Sequence, residues 1–293
     1  MAEVHLSKQL RGAIKLWRYL SLDKLVDLRS SGQLFFAPLS SFIRSDPFEG
    51  FLPASAMGAL GGLYRRGVDD LENSIEQLDD YCERSRYAVP DDAREMLQLK
   101  LQDLKATPKR FFHAIAQCQT VNCWHANDVE SEAMWRLYSD NGKAVAIETT
   151  VDALRESIAS REAQHVVHVY PVKYLDFFDK ALTSDDCVVD GRHTTPLLKR
   201  LSYRHENEVR AFIGRVPSNP REAAKIEYWQ PAPIRLPVDV TVLLKRVHVS
   251  PYAVEPFGGS VQTICKSLGL HPGIVESSRL LRGQEELLKR LEC

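Results

Sequence analysis

Apolar and polar positions alternate with strand period in several short runs of this chain and step by threes and fours in others. Lys15 to Tyr19 reads as a first strand. Ser21 then caps a short helix whose apolar positions Leu22, Leu25, Val26 and Leu28 keep helical spacing, and Gly32 ends it. Gln33 to Ala37 reads as a second strand, and Pro38 turns the chain into a polar loop that closes on Asp46-Pro47-Phe48-Glu49-Gly50. From about Arg65 to Gln117 the pattern is helical: Val68, Leu71, Ile75, Leu78 and Cys82 share one face. Pro90-Asp91-Asp92 starts a second helix through Leu97, Leu101 and Leu104, and Thr107-Pro108 starts a third. The block reads as a helical insertion at 65–117 in a core formed by 1–64 and 118–293.

Mixed structure returns with a strand at Thr120 to Trp124, a helix from about Asp128 to Tyr138, the turn Ser139-Asp140-Asn141-Gly142 and a strand at Lys143 to Glu148. There follow a helix at Val151 to Arg161, a β-rich run His165 to Tyr174, a loop around Thr183 to Gly191, a short helix opened by Pro196 and a strand at Glu208 to Ile213. The end of the chain supplies a strand at Val247 to Ser250, a helix from Pro256, a strand at Gly273 to Glu276 and a charged helix from Gly283. Short strands and helices in irregular order define an α+β class rather than a regular α/β alternation.

The segment Tyr203 to Phe212 breaks the ordinary pattern. Read as a strand, it projects Glu206, Glu208 and Arg210 to one face and Val209 and Ala211 to the other. Such a charged face is a solvated edge or the wall of a cleft.

Composition narrows the choice of chemistry only a little. A chain of 293 residues with net charge −1 has no bulk attraction for nucleic acid, although a local basic cleft is compatible with that balance. Its six cysteines, Cys82, Cys118, Cys123, Cys187, Cys265 and Cys293, form no CxxC pair and suit reduced thiols in a cytoplasm. No signal-peptide pattern opens the chain, and no apolar run reaches the roughly 18 residues of a membrane span. A G-x-G-x-x-G after a strand, a Walker loop and a G-x-S-x-G elbow are all missing, and the pairs Gly61-Gly62 and Gly258-Gly259 read as turns.

The order Leu16-Trp17-Arg18-Tyr19-Leu20-Ser21, Gly32-Gln33-Leu34-Phe35-Phe36 and Asp46-Pro47-Phe48-Glu49 resembles a widespread bacterial family of domains of unknown function. Cys123-Trp124-His125, Met134-Trp135-Arg136-Leu137-Tyr138 and Tyr203-x-x-Glu206-x-Glu208-Val209-Arg210 fit the same family, over most of 15–255. The succession of elements also resembles the ADP-ribosyltransferase fold. That likeness implies a split mixed β-sheet core, NAD as substrate and no metal. It places Arg18 on the first strand, Phe36 or Ser40 at the second, and Glu208 at the head of a late strand. Glu206-x-Glu208 is similar to the Glu-x-Glu signature of arginine-first transferases.

The resemblance implies roles. Glu208 would hold the ribose and stabilise an oxocarbenium-like cation, and Glu206 would orient or deprotonate an acceptor. Arg18 suits a pyrophosphate, and Trp17, Tyr19, Phe36 and Trp124 offer flat surfaces for nicotinamide or a base. Asp46, Glu49, Arg204 and Arg210 complete the candidate substrate contacts; the competing readings are a structural ion pair of Arg18 with Glu208 or Asp46 and local backbone hydrogen bonding at Asp46. The acceptor would be a macromolecule, protein or nucleic acid, as for a toxin or phage-defence effector, with no membrane partner.

Two other chemistries compete. Cys118, Cys123, His125 and His113 lack the compact spacing of structural zinc, and a magnesium nuclease would draw on Asp46, Glu206 and Glu208. The run Lys199 to His205 offers cations and an aromatic to a phosphate backbone, so a nucleotide- or nucleic-acid-binding module without turnover stays open.

Overall fold

The computed structural model describes residues 3–85, 89–161, 164–193, 195–215, 225, 228–281, 283, 288 and 291. Its strands in chain order are β1 (Val4–Leu6), β2 (Lys15–Leu20), β3 (Gln33–Pro38), β4 (Thr120–Ala126), β5 (Val145–Thr150), β6 (Val167–Pro171) and β7 (Lys173–Leu175). They continue with β8 (Val188–Val189), β9 (Arg192–His193), β10 (Leu198–Arg200), β11 (Glu208–Ile213), β12 (Ile234–Pro237), β13 (Arg246–Val249) and β14 (Val275–Ser277). The principal helices are α1 (Leu22–Ser31), α2 (Ala54–Ser85), α3 (Asp91–Cys118), α4 (Glu132–Tyr138), α5 (Val151–Ala159) and α6 (Phe257–Ser267). The protein is α+β, built on a mixed ten-stranded sheet ordered β1-β6-β11-β4-β2-β5-β13-β14, with β3 on β4 and β12 on β3. The pairs β1/β6 and β13/β14 are parallel; the remaining pairs of this sheet are antiparallel.

One edge of β4 is shared by two strands. Leu16 and Trp17 of β2 pair with Ala126 and His125, while Ala37 and Pro38 of β3 pair with Val121 and Thr120. The two partners diverge between these contacts, which opens a split in the sheet beside residues 122–124. The Asn122 side chain closes part of it, donating to the Phe35 carbonyl at 2.9 Å and accepting from the Trp124 indole at 2.6 Å.

The largest core lies on the face of β11 that carries Val209 and Ala211, where Leu16, Leu20, Phe36 and Trp124 pack with α1 and α5 residues Leu25, Leu28, Leu154 and Ile158. On the opposite face two smaller clusters stand apart. One is Trp17 and Tyr19 beneath Met134 and Trp135 of α4; the other gathers Tyr170, Phe177, Leu197, Leu198 and Phe212. Glu208 and Arg210 point to this second face, because in register they oppose His125 and Cys123 while Trp17 also opposes His125.

Several sequence expectations need correction. Pro108 lies inside α3, so 91–118 is one helix where two were expected, and α2 begins at Ala54 rather than near Arg65. A proline removes one backbone donor, and packing against α2, with the pairs Arg94–Asp79 and Lys105–Glu72 in the turns before it, accompanies the continuous helix. The helix expected from Asp128 starts at Glu132, since Asn127 is held in the preceding loop by the Trp17 indole at 2.8 Å. Ser21 flanks α1 without a side-chain cap bond, whereas Gly32 ends it with φ 65°, the left-handed geometry that glycine tolerates. The charged helix from Gly283 lies largely outside the described residues. No helix among the described residues is long and apolar enough to cross a membrane.

Candidate functional site

Glu206 does not lie on the strand. Leu201–Glu206 is a 3-10 turn, and Asn207 then adopts φ 43°, a left-handed conformation that asparagine tolerates better than branched residues, before β11 begins at Glu208. This reversal still brings the Glu206 carboxylate beside Glu208, through a cation that the sequence pattern did not single out. The Lys199 ammonium donates to Glu206 Oε2 at 2.5 Å and to Glu208 Oε1 at 3.4 Å. Lys199 ends up buried because β10 and the turn fold back over β11; seven residues of separation and an ordinary basic run gave no periodic signal for that.

The cluster continues inward. Arg210 donates from Nε to Glu208 Oε2 at 2.7 Å, from Nη1 to Glu49 Oε1 at 2.6 Å and to the Pro196 carbonyl at 2.7 Å, and from Nη2 to Glu49 Oε2 at 3.3 Å. Arg210 is 2% exposed and Glu208 4% exposed, so these charges are removed from water and depend on one another. Asp46 is held by Arg200 at 2.7 Å and caps the Phe48 backbone N–H at 3.0 Å. Asp46 and Glu49 therefore serve the cluster as partners of Arg200 and Arg210. Arg200 also lies over the rings of Phe48 and Tyr203, 4.7 and 5.3 Å from their centroids, near the exposed Phe178.

Around the carboxylates stand three polar rings. His125 Nδ1 contacts the Glu206 carbonyl at 2.7 Å; a carbonyl only accepts, so Nδ1 carries the proton. The Tyr174 hydroxyl accepts the Glu208 backbone N–H at 2.8 Å. Tyr138, on the last turn of α4, is half exposed, packs against Tyr19 and His125, and feels the charges of both Glu206 and Glu208.

Burial and charge split the two carboxyls. Burial, reinforced by the neighbouring Glu208 charge, pushes Glu206 up, to about 7. Burial acts in the same direction on Glu208, but the charges of Arg210 and Lys199 outweigh it and hold Glu208 well below the carboxylate range. Burial lowers His125, and burial together with the Glu208 charge raises the Cys123 thiol to about 12, which leaves it un-ionised and unreactive. Among the described residues no group of three or more His, Cys, Asp or Glu side chains is arranged to hold a metal ion.

Arg18 is built differently. Strand alternation puts it on the face of β2 opposite Trp17, beside the split, with its guanidinium 5.7 Å from the Trp124 ring centroid. Its Nη1 is buried and has no hydrogen-bond partner, and burial lowers its pKa. Arg18 makes no ion pair with Glu208. Yet it interacts electrostatically with Cys123 and Tyr138, and it acts together with Glu208 and Lys199 on His125, so it lies near the cluster across β4. The other expected contacts scatter. Phe36 is fully buried in the main core, Trp124 is fully buried with its indole bonded to Asn122, and Tyr19 is buried with its hydroxyl accepting the Ser131 N–H at 2.8 Å. Ser40 sits part-exposed in the turn after β3, and Arg204 is exposed.

The fold and this cluster define an α+β protein with a buried carboxylate pair on one face of the sheet and, across β4 on the other face of β2, an arginine that makes no ion pair among the described residues. Residues 134–211 match the family model described as Protein of unknown function (DUF2971), in keeping with the resemblance read from the sequence motifs. That stretch runs from α4 into β11 and includes Tyr138, Lys199, Glu206, Glu208 and Arg210. The chain matches no curated protein and no solved structure at a significant level.

Proposed function

We propose that this chain is an ADP-ribosyltransferase-like enzyme that breaks the nicotinamide–ribose bond of NAD and passes the ADP-ribosyl group to a macromolecular acceptor. The observation that carries the reading is Arg18 Nη1, buried without a hydrogen-bond partner among the described residues and within electrostatic reach of residues that also feel Glu208. A buried unpaired cation is costly unless something neutralises it, and a diphosphate oxygen is a fitting anion for a guanidinium fork. Glu208, held ionised by Arg210 and Lys199, suits stabilisation of the positive charge that develops on the ribose as the C–N bond breaks. Glu206, poised near neutrality, suits removal of the proton from the acceptor nucleophile as the new bond to ribose forms. Lys199 and Arg210 position the two carboxylates; nicotinamide leaves with the electron pair of the broken bond.

The test compares NAD consumption and label transfer by wild type and Glu208→Gln. The reading expects a loss of about 100-fold or more in turnover, in the range seen when one charge-stabilising group is removed. Equal consumption by the two proteins, or no NAD binding by wild type, would sink it. A second reading is a nucleotide-binding module without turnover. It is favoured by the mutual pairing of Glu49, Glu206, Glu208, Lys199 and Arg210, which is also what a purely structural cluster would have. Calorimetry that finds NAD or ADP-ribose bound by wild type with no turnover would select it.

A further inference from the structure

A second candidate site lies at the other end of the β4/β11 ladder. There a depression of about 340 Å³ is lined on one side by Lys109, Arg110 and His113 of α3 and on the other by Trp229 and Gln230. Residues 109 and 113 are four apart, and 110 and 113 three apart, so the helix presents them as neighbours on one surface. Lys109 makes no ion pair among the described residues, and Arg110 is paired with Asp103 beside the depression. Arg215 stacks on Trp229, its guanidinium 3.9 Å from the ring centroid, and its carbonyl is held by the Gln119 amide at 3.3 Å. No carboxylate is among the described residues that line the depression. Cations therefore face an indole and an amide across a concave surface of nucleotide-like size.

We infer that this depression binds the phosphate and base of a nucleotide unit, and that its ligand is single-stranded nucleic acid. Lys109 and Arg215 supply charge to phosphate, and the cations stay accessible because both side chains are exposed. The indole, covered by Arg215 and only 9% exposed, forms an apolar wall that a base would meet at its rim, and the exposed Gln230 amide can both donate to and accept from a base edge. An acidic peptide would satisfy the cations but would leave the ring and amide unused. From the Thr120–Ile213 pair to the His125–Glu208 pair is five residues of ladder, about 17 Å at about 3.4 Å per residue. The depression is thus separate from the acid and base cluster, and the inference does not rest on transferase chemistry.

Fluorescence anisotropy with a labelled single-stranded RNA or DNA of about twelve nucleotides, within the span of one binding module, tests it. Wild type should bind, more weakly as salt rises. Lys109→Glu and Arg215→Glu should each lower affinity about tenfold or more and should flatten the log K against log salt slope by about 0.7 for each phosphate no longer neutralised. Both positions are exposed, so unchanged circular dichroism and unchanged NAD consumption are expected alongside. Failure of equimolar adenosine monophosphate to compete supports the polymer as ligand, whereas displacement of the oligonucleotide by equimolar adenosine monophosphate would identify free nucleotide and overturn the polymer as ligand. The inference is overturned if both variants bind the oligonucleotide as tightly as wild type, if wild type binds none at low salt, or if polyglutamate of equal charge displaces it.

Discussion

Arg210→Met is the most direct probe of the buried cluster. Methionine fills much of the aliphatic volume of arginine but removes the charge and all its donors, which serve Glu49, Glu208 and the Pro196 carbonyl. Glu208 keeps Lys199 as a partner, at 3.4 Å, whereas Glu49, 4% exposed, has no other side-chain partner among the described residues. Removing one member of a buried ion pair costs about 3–5 kcal/mol, because the other charge is left desolvated. At roughly 2 °C per kcal/mol for a chain of this size, the melting temperature should fall by about 6–10 °C. Urea denaturation followed by tryptophan fluorescence reads it, since Trp124 and Trp135 are fully buried and respond to loss of packing. The sharper outcome is the double variant. Glu49→Gln in the Arg210→Met background neutralises the stranded carboxylate and should recover about 1–2 kcal/mol of the loss. A loss under about 1 kcal/mol for Arg210→Met, small even for a single substitution, would refute this account of the cluster. So would a second substitution that adds to the damage.

Three further outcomes follow from the same geometry. Because folding raises the Glu206 pKa, from 4.5 to about 7, the folded state holds its proton where the unfolded chain releases it. Glu206 therefore adds stability that is fully present below pH 4.5 and is lost as pH rises to about 7, so Glu206→Gln should flatten the stability profile across that window in urea titrations. Glu208 has the opposite sign: its lowered pKa stabilises the fold above pH 4.5 and fails as pH drops further, so Glu208→Gln should reduce the acid sensitivity of wild type. Arg18→Met should leave the ligand-free protein as stable as wild type or more so by thermal melting, while weakening NAD binding about tenfold or more by calorimetry, since a charge-assisted contact is worth about 1.5–3 kcal/mol. Destabilisation of the ligand-free protein with unchanged NAD affinity would assign Arg18 to structure alone.

Much of the backbone was legible because local rules and tertiary packing agree. The alternation in Lys15 to Tyr19, Gln33 to Ala37 and Glu208 to Ile213, and the stop at Gly32, all recur as elements. Where the reading went astray, a non-local contact had overruled a local signal. Pro108 is a helix starter by sequence and an interior residue in fact, in a helix that packs along α2 and is tied to it by Arg94–Asp79 and Lys105–Glu72. Glu206 had the right spacing for a strand face, but Asn207 turns left-handed and ends a helical turn there. Phe36 had the composition of a stacking platform and instead fills the core beneath α1. Of the cluster, the carboxylates and Arg210 could be picked out as charges next to an apolar strand. The sequence offers Lys199 only in a basic run, His125 only beside zinc-like cysteines and Tyr138 only in a family motif, since their nearness to Glu206 and Glu208 depends on how β10, β4 and α4 come together across the sheet.

The charge count in this cluster explains why one proton is poised. Glu49, Glu206 and Glu208 stand against Lys199 and Arg210, three potential anions against two cations, in a region where Glu49, Glu208 and Arg210 are almost wholly shielded from water. A buried excess of one negative charge is expensive, and the least costly remedy is to keep one carboxyl neutral. Arg210 binds Glu208 directly, whereas Lys199 is the cation bonded to Glu206 among the described residues, so burial and the Glu208 charge push Glu206 up. The second arginine of the region makes the complementary case. Among the described residues Arg18 pairs with no carboxylate and its Nη1 is buried without a hydrogen-bond partner, whereas Glu206 and Glu208, across β4, are bonded to Lys199 and Arg210. In the proposed reading a diphosphate at Arg18 would be felt through His125 and Tyr138, the two rings that register both Arg18 and Glu208.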